Sequence, residues 1–241
     1  MRLVLFDIDG TLLSDGGASR EAFAAALKIV YGYRGDVEAY DFSGRTDPQI
    51  AHMVLADAGY SHSEIEGSIG GLWENYLERL AGSVTRERVR VLAGIRELVD
   101  ILHLHDDVVL ALLTGNIEQG ARLKLGGAGL NDYFPFGAFG SDSSDRTELP
   151  PIAVARAAAA RGTRFDGRDV VIIGDSIYDV RCGVPWQATT IAVASGRTPI
   201  AILREENPTH LFESVAETEA VLAAILDQPL SPTGHAGRLE S

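Results

Sequence analysis

The sequence predicts a doubly wound α/β fold, a parallel sheet with helices on both faces, interrupted after its first strand by an all-helical block. Three observations predict it. Several short apolar runs are continuous rather than alternating, as in strands buried on both faces. Helical patterns separate most of those runs. Residues 14–90 carry helical periodicity with no convincing strand between them.

The first strand covers residues 2–9 and ends in two acids, Asp7 and Asp9. The inserted block follows, with amphipathic helices over 19–31, 47–58 and 61–80. Ser61 and Glu64 have the spacing of a capping box, in which each side chain satisfies an orphan backbone N–H. Linkers at 13–18, containing Gly16-Gly17, and at 83–91 bound the block. Beyond it the spacing predicts strands over 107–114, 168–175, 188–193 and 209–212. The helices between and after them cover 95–104, 117–125, 149–161 and 215–226. The expected division is a core of 1–13 and 91–226, a helical block of 14–90, and a flexible tail of 227–241 with little apolar content.

Composition excludes several classes of function. Of 241 residues, 46% are hydrophobic and 23% charged, which is neither a disordered chain nor a fibre. Lys and Arg number 21 against 34 Asp and Glu, a net charge of −13. Such a surface argues against nucleic acid and anionic membranes, whose binding relies on Lys and Arg. An anionic substrate would need a local cation. Cys182 is the single cysteine, so no internal disulfide forms. No apolar run approaches the roughly 20 residues of a membrane span, and the first run is too short for a signal peptide. A soluble cytoplasmic protein is expected.

Asp7-Ile8-Asp9-Gly10-Thr11 closes the first buried strand. In an open parallel sheet the ligand crevice lies outside the carboxyl ends of the strands. Two residues apart on an extended chain, Asp7 and Asp9 can face the same side. One can attack or bind metal while the other handles a proton. Thr114-Gly115-Asn116 closes the second long strand and begins a helix, offering a hydroxyl and backbone amides to an anion. Gly174-Asp175-Ser176 closes the third, with Asp179 four residues beyond Asp175. Four acids at one edge suit magnesium, a hard ion that takes oxygen ligands. The six histidines show no metal pattern, and His103 and His105 read as exposed or capping. Trp73 and Tyr76 read as packing residues. Gly126-Gly127-Ala128-Gly129 follows a helix and lacks the dinucleotide-binding context.

In their order and placement these motifs resemble the haloacid dehalogenase superfamily, specifically its phosphoglycolate phosphatase-like members with a Rossmann-like core and an inserted helical cap. The resemblance implies that Asp7 is the nucleophile, forming an aspartyl-phosphate, and that Asp9 is the general acid and then base. It implies phosphate binding by Thr114, Gly115 and Asn116. Magnesium would sit on Asp7, the backbone carbonyl of Asp9, and Asp175, with Asp179 assisting through a water or by orienting the basic residue. The third motif departs from the family pattern. Where a lysine is usual before Pro150-Pro151, the nearby cation is Arg146, which binds phosphate differently from lysine. The rival, Lys124, lies on the helix straight after Thr114, too early in the chain for the family's pattern, and reads as part of a solvated helix face.

Asp9 distinguishes reaction classes. Carbon–halogen and phosphonate cleavage in this superfamily generally proceed without an acid there, and Lys28 is the cap's only lysine. The expected activity is a magnesium-dependent phosphatase for a small phosphorylated metabolite, phosphoglycolate being one candidate. The alternatives are a sugar phosphomutase and, from another class, a phospho-acceptor signalling domain. Arg45, in Ser43-Gly44-Arg45-Thr46-Asp47, is the cap residue expected to reach an anionic substrate group. The sequence carries no sign of oligomeric state.

Overall fold

The computed structural model describes residues 1–227. Beyond Asp227, which pairs with Arg2 at 3.2 Å, the expected tail lies outside the described residues.

The elements run β1 Arg2–Phe6, β2 Leu13–Ser14, α1 Ala18–Tyr31, α2 Asp47–Asp57, α3 His62–Ser83, β3 Arg90–Val91, α4 Ile95–His103, β4 Val108–Leu113 and α5 Glu118–Ala128. They continue β5 Gly137–Ala138, α6 Leu149–Arg161, β6 Val170–Gly174, α7 Ile177–Gly183, β7 Thr189–Val193, α8 Ile200–Glu205, β8 His210–Phe212 and α9 Thr218–Leu226. Six strands form one parallel sheet in the order β5-β4-β1-β6-β7-β8. The chain order reverses beside β1, so the crevice opens at the strand that carries Asp7.

Both faces of the sheet are covered, which explains the continuous apolar runs. From β1, Val4 and Phe6 join one core with Ile95, Leu98 and Leu102 of α4 and Val221 and Ile225 of α9. The alternate residues Leu3 and Leu5 join the other, with Leu149, Ala153 and Ala157 of α6.

Helices α1, α2 and α3 form the inserted block. Ser61 and Glu64 make the expected capping box, with Ser61 N–H donating to Glu64 Oε2 at 2.8 Å. Phe23 of α1 meets Tyr76 edge-on at 6.1 Å and stacks on Trp73 at 6.5 Å, so both residues pack as expected. Tyr76 and Leu80 of α3 pack beside Gly120 of α5, which rests the block on the core. The block leaves and rejoins the sheet through a small antiparallel pair, β2 with β3, where Leu13 faces Val91.

Several elements differ from expectation. β5 has only two residues, and α7 and α8 have seven and six, too short to show a period. The helix expected from 117 starts at Glu118, and Thr114-Gly115-Asn116 is a loop rather than its first turn. The helix expected from 215 starts at Thr218.

Candidate active site

Strand register assembles the site. Phe6 lies opposite Leu112 of β4 and Ile173 of β6. The residues just past these strand ends, Asp7, Thr114 and Asp175, therefore meet at one edge of the sheet. All three are buried. Asp179 joins them from the first turn of α7, and one oxygen each from Asp7, Asp175 and Asp179 lies within 4.8 Å of the others. Ser176 caps α7 and donates its N–H and hydroxyl to Asp179 Oδ2 at 3.0 and 2.6 Å. That leaves Asp179 Oδ1 for the cluster.

Arg146 enters from a 3₁₀ turn just before α6 and is 5% exposed. Its guanidinium donates to Asp7 Oδ1 at 3.1 Å and to Asp179 Oδ1, and also to the carbonyls of Leu113 and Gly44 at 3.3 Å. One cation thus faces three buried carboxylates. Burial pushes Asp7 up to about 7, with Asp179 and Asp9 adding to the rise and Arg146 opposing it. Burial, then the charges of Asp7 and Asp179, raise Asp175 well above the carboxylate range. An all-oxygen donor set with excess negative charge fits a hard divalent cation such as magnesium. Backbone is kept close here: a Cβ on Gly196 would stand 1.6 Å from Asp175 Oδ2, and Gly10 turns at φ +82°.

Asp9 has a separate partner. Its Oδ2 accepts from Lys124 Nζ at 2.6 Å and from Asn116 Nδ2 at 2.8 Å. Lys124 also donates to Asn116 Oδ1 at 2.7 Å and lies 3.8 Å from Asp15. The reading of Lys124 as a solvated helix residue is therefore incorrect, for it is 2% exposed. Burial opposes its charge, but the carboxylates of Asp9, Asp15 and Asp47 outweigh this and hold it protonated. The Thr114 hydroxyl accepts from Asn116 Nδ2 at 2.9 Å, which orients the loop.

The loop at 43–47 descends onto this floor. Asp47 N–H donates to the Gly115 carbonyl at 2.7 Å, and Asp47 Oδ2 accepts from Ile117 N–H at 2.8 Å, capping α5 from outside. Burial raises Asp47 to about 6, against the pull of Lys124 and Ile117 N–H. Arg45 borders the cavity, with Nε donating to the Asp41 carbonyl at 3.2 Å and its guanidinium 5.5 Å over the Tyr178 ring. Between block and core lies a cavity of about 380 Å³, lined by Asp7, Asp9, Asn116, Arg45, Arg146 and Asp175 among others. Its volume suits a small metabolite.

A family profile for haloacid dehalogenase-like hydrolases matches residues 4–183, the span that carries the site's acids together with Lys124 and Arg146. The chain belongs to the haloacid dehalogenase-like hydrolases. It is 26% identical to the N-acylneuraminate-9-phosphatase of Mus musculus, covering 93% of this chain and 95% of that one. It is 24% identical to a phosphoglycolate phosphatase of Pseudomonas fluorescens, covering 98% and 87%. In fold it resembles the crystal structure of a predicted phosphatase from Clostridium acetobutylicum, with a TM-score of 0.70, 19% identity and coverage of 94% and 98%.

Sequence reasoning about this haloacid dehalogenase-like hydrolase named Asp7, Asp9, Thr114, Arg146, Asp175 and Asp179, and the structure brings them to one edge. It missed the burial of Lys124 and the contributions of Asp15 and Asp47. Asp15 carried a signal: an acid immediately before a double glycine and just ahead of a helix. Its carboxylate accepts from the N–H groups of Gly17 and Ser19, each at 2.9 Å. Among the described residues no helix is long and apolar enough to cross a membrane.

Proposed function

We propose that this hydrolase is a magnesium-dependent phosphatase of small organic phosphomonoesters, working through a phosphorylated Asp7. The single observation that carries the reading is the buried cluster of Asp7, Asp175 and Asp179 against Arg146 at the floor of a metabolite-sized cavity. Full-length resemblance to two named phosphatases supports it.

The residues that would hold magnesium are Asp7, Asp175 and Asp179, with the backbone carbonyl of Asp9. When bound, the ion supplies positive charge that offsets repulsion between the Asp7 carboxylate and a phosphate dianion. Arg146 holds the Asp7 carboxylate in place and adds a fixed positive charge beside the phosphoryl oxygens. The Thr114 hydroxyl and the amides of Gly115 and Asn116 donate to those oxygens. An Asp7 oxygen forms the new P–O bond as the ester P–O bond breaks, and Asp9 gives its proton to the departing alkoxide. Asp9 then takes a proton from water, whose oxygen attacks phosphorus and releases inorganic phosphate with Asp7 restored. Lys124 and Asn116 fix Asp9 for both transfers. Residues 14–90 act as the cap, divided from the core near β2 and β3, and Arg45 meets a polar or anionic part of the substrate.

The test is phosphate release from p-nitrophenyl phosphate and a panel of phosphorylated metabolites, with magnesium or with chelator. Asp7→Asn is expected to abolish magnesium-dependent release. Undiminished activity in that variant overturns the reading. Transfer back to a sugar phosphate without net release would indicate a mutase instead.

A further inference from the structure

A second cluster lies on the cap, away from the cavity. His52 of α2 faces His62 and Glu66 of α3, and one ligand atom from each lies within 4.8 Å of the other two. The six histidines showed no metal pattern in the sequence because this set has spacings of ten and four residues across two helices. Packing of α2 on α3, not local spacing, brings it together.

We propose that His52, His62 and Glu66 form a surface site for a divalent transition metal of the zinc class, stapling α2 to α3. Two imidazole nitrogens and one carboxylate favour zinc, copper, nickel or cobalt over magnesium. Geometry supports the assignment. Two imidazoles on one tetrahedral zinc, each nitrogen at about 2.0 Å, place their ring centres about 5 Å apart. The rings of His52 and His62 stand 5.3 Å apart, inclined by 29°. Glu66 Oε1 already lies 2.8 Å from His52 Nε2, so a metal replaces the shared proton with little movement.

The scaffold around the three residues is fixed. His62 sits in the first turn of α3, held by the capping box of Ser61 and Glu64, and Glu66 follows one turn later on the same face. Between them Ile65 is buried, and its carbonyl accepts from the Tyr31 hydroxyl at 2.6 Å. The side chains of His52 and Glu66 are 32% and 48% exposed, which leaves an entry path and room for water as a fourth ligand.

The experiment titrates the full chain with zinc against a chromophoric chelator, with excess magnesium present to occupy the oxygen-rich acidic pocket. Wild type is expected to take up one zinc that His62→Ala binds about a hundredfold more weakly, a loss at least as large as that of an outer-shell partner. His62 is exposed, so the variant is expected to keep the wild-type circular dichroism. As a second readout on wild type, the imidazole resonances of His52 and His62 should shift with the first equivalent of zinc. Equal zinc affinity in wild type and His62→Ala, or unmoved resonances at one equivalent, overturns the proposal.

Discussion

Lys124 reaches from the middle of α5 to place its ammonium 2.6 Å from the Asp9 carboxylate, the second acid of the first strand's motif. Two cations therefore divide the acids between them: Arg146 serves Asp7 and Asp179, while Lys124 serves Asp9 and faces Asp15. Lys124→Met should lower kcat on alkyl phosphates by about 10²-fold, the low end of what a positioned acid–base group contributes. KM should change little. The stability loss should be about 2 kcal/mol, below the figure for a fully buried pair because Asp9 keeps an edge in water. Steady-state kinetics and urea unfolding check both.

Arg146 should prove the more costly cation to remove. Arg146→Ala leaves Asp7 and Asp179 buried without their partner, a loss of about 3–5 kcal/mol together with activity. Arg146→Lys restores the charge but not the guanidinium's several directed contacts, and should recover only part of each. Thermal unfolding of the two variants beside wild type distinguishes charge from shape.

Metal-free protein carries repulsion that the ion is expected to relieve. In chelator, Asp175→Asn should be more stable than wild type by about 1 kcal/mol, since one of three crowded acids is neutralised. Adding magnesium should reverse the order. Wild type gains about 2.7 kcal/mol at a hundred times Kd, and the variant gains little. Unfolding midpoints with chelator and with magnesium provide the measurement.

Asp47 predicts a pH dependence of stability. Its carboxyl is raised to about 6 in the fold, from an ordinary 3.8. Between these values the native state holds a proton that the unfolded chain has released, so stability falls as pH rises from about 4 to 6. The loss from this residue is at most about 3 kcal/mol and is constant above that window. Asp47→Asn keeps an oxygen for Ile117 N–H without the charge. Its stability relative to wild type should rise across the same window in urea unfolding at stepped pH.

Gly115 tests the seating of the 43–47 loop on the core. A Cβ there would stand 2.1 Å from the backbone carbonyl of Arg45, which belongs to the descending loop. The core can escape that clash by letting the loop lift. Gly115→Ala should therefore lower kcat/KM by at least about 10²-fold, the scale set by an ångström-level misplacement. The unfolding midpoint should move only slightly. Faster limited proteolysis within residues 43–47 is expected alongside.

The long elements were legible because their physics is local. Continuous apolar runs such as Val4 to Phe6 announce a strand covered on both faces, and the spacing of Ser61 and Glu64 announces a helix start. The acids at strand ends were legible too, since a parallel sheet aligns its carboxyl ends along one crevice. The two-residue β5 and the seven-residue α7 were not, because neither is long enough to repeat a pattern.

Sequence alone determined the fold class, the family and which acids stand at the strand ends, because apolar periodicity and a short motif are properties of neighbouring residues. Tertiary structure decided which cation meets which acid. Lys124 and Asp9 are 115 positions apart, as Arg146 and Asp7 are 139 apart, and only the register of β1 against β4 and β6 and the packing of α5 and the turn before α6 set those pairs. The same holds for His52 and His62, whose meeting depends on two helices packing rather than on any local spacing. Charge pairing acts through space, over a few ångströms, and linear order does not encode those distances.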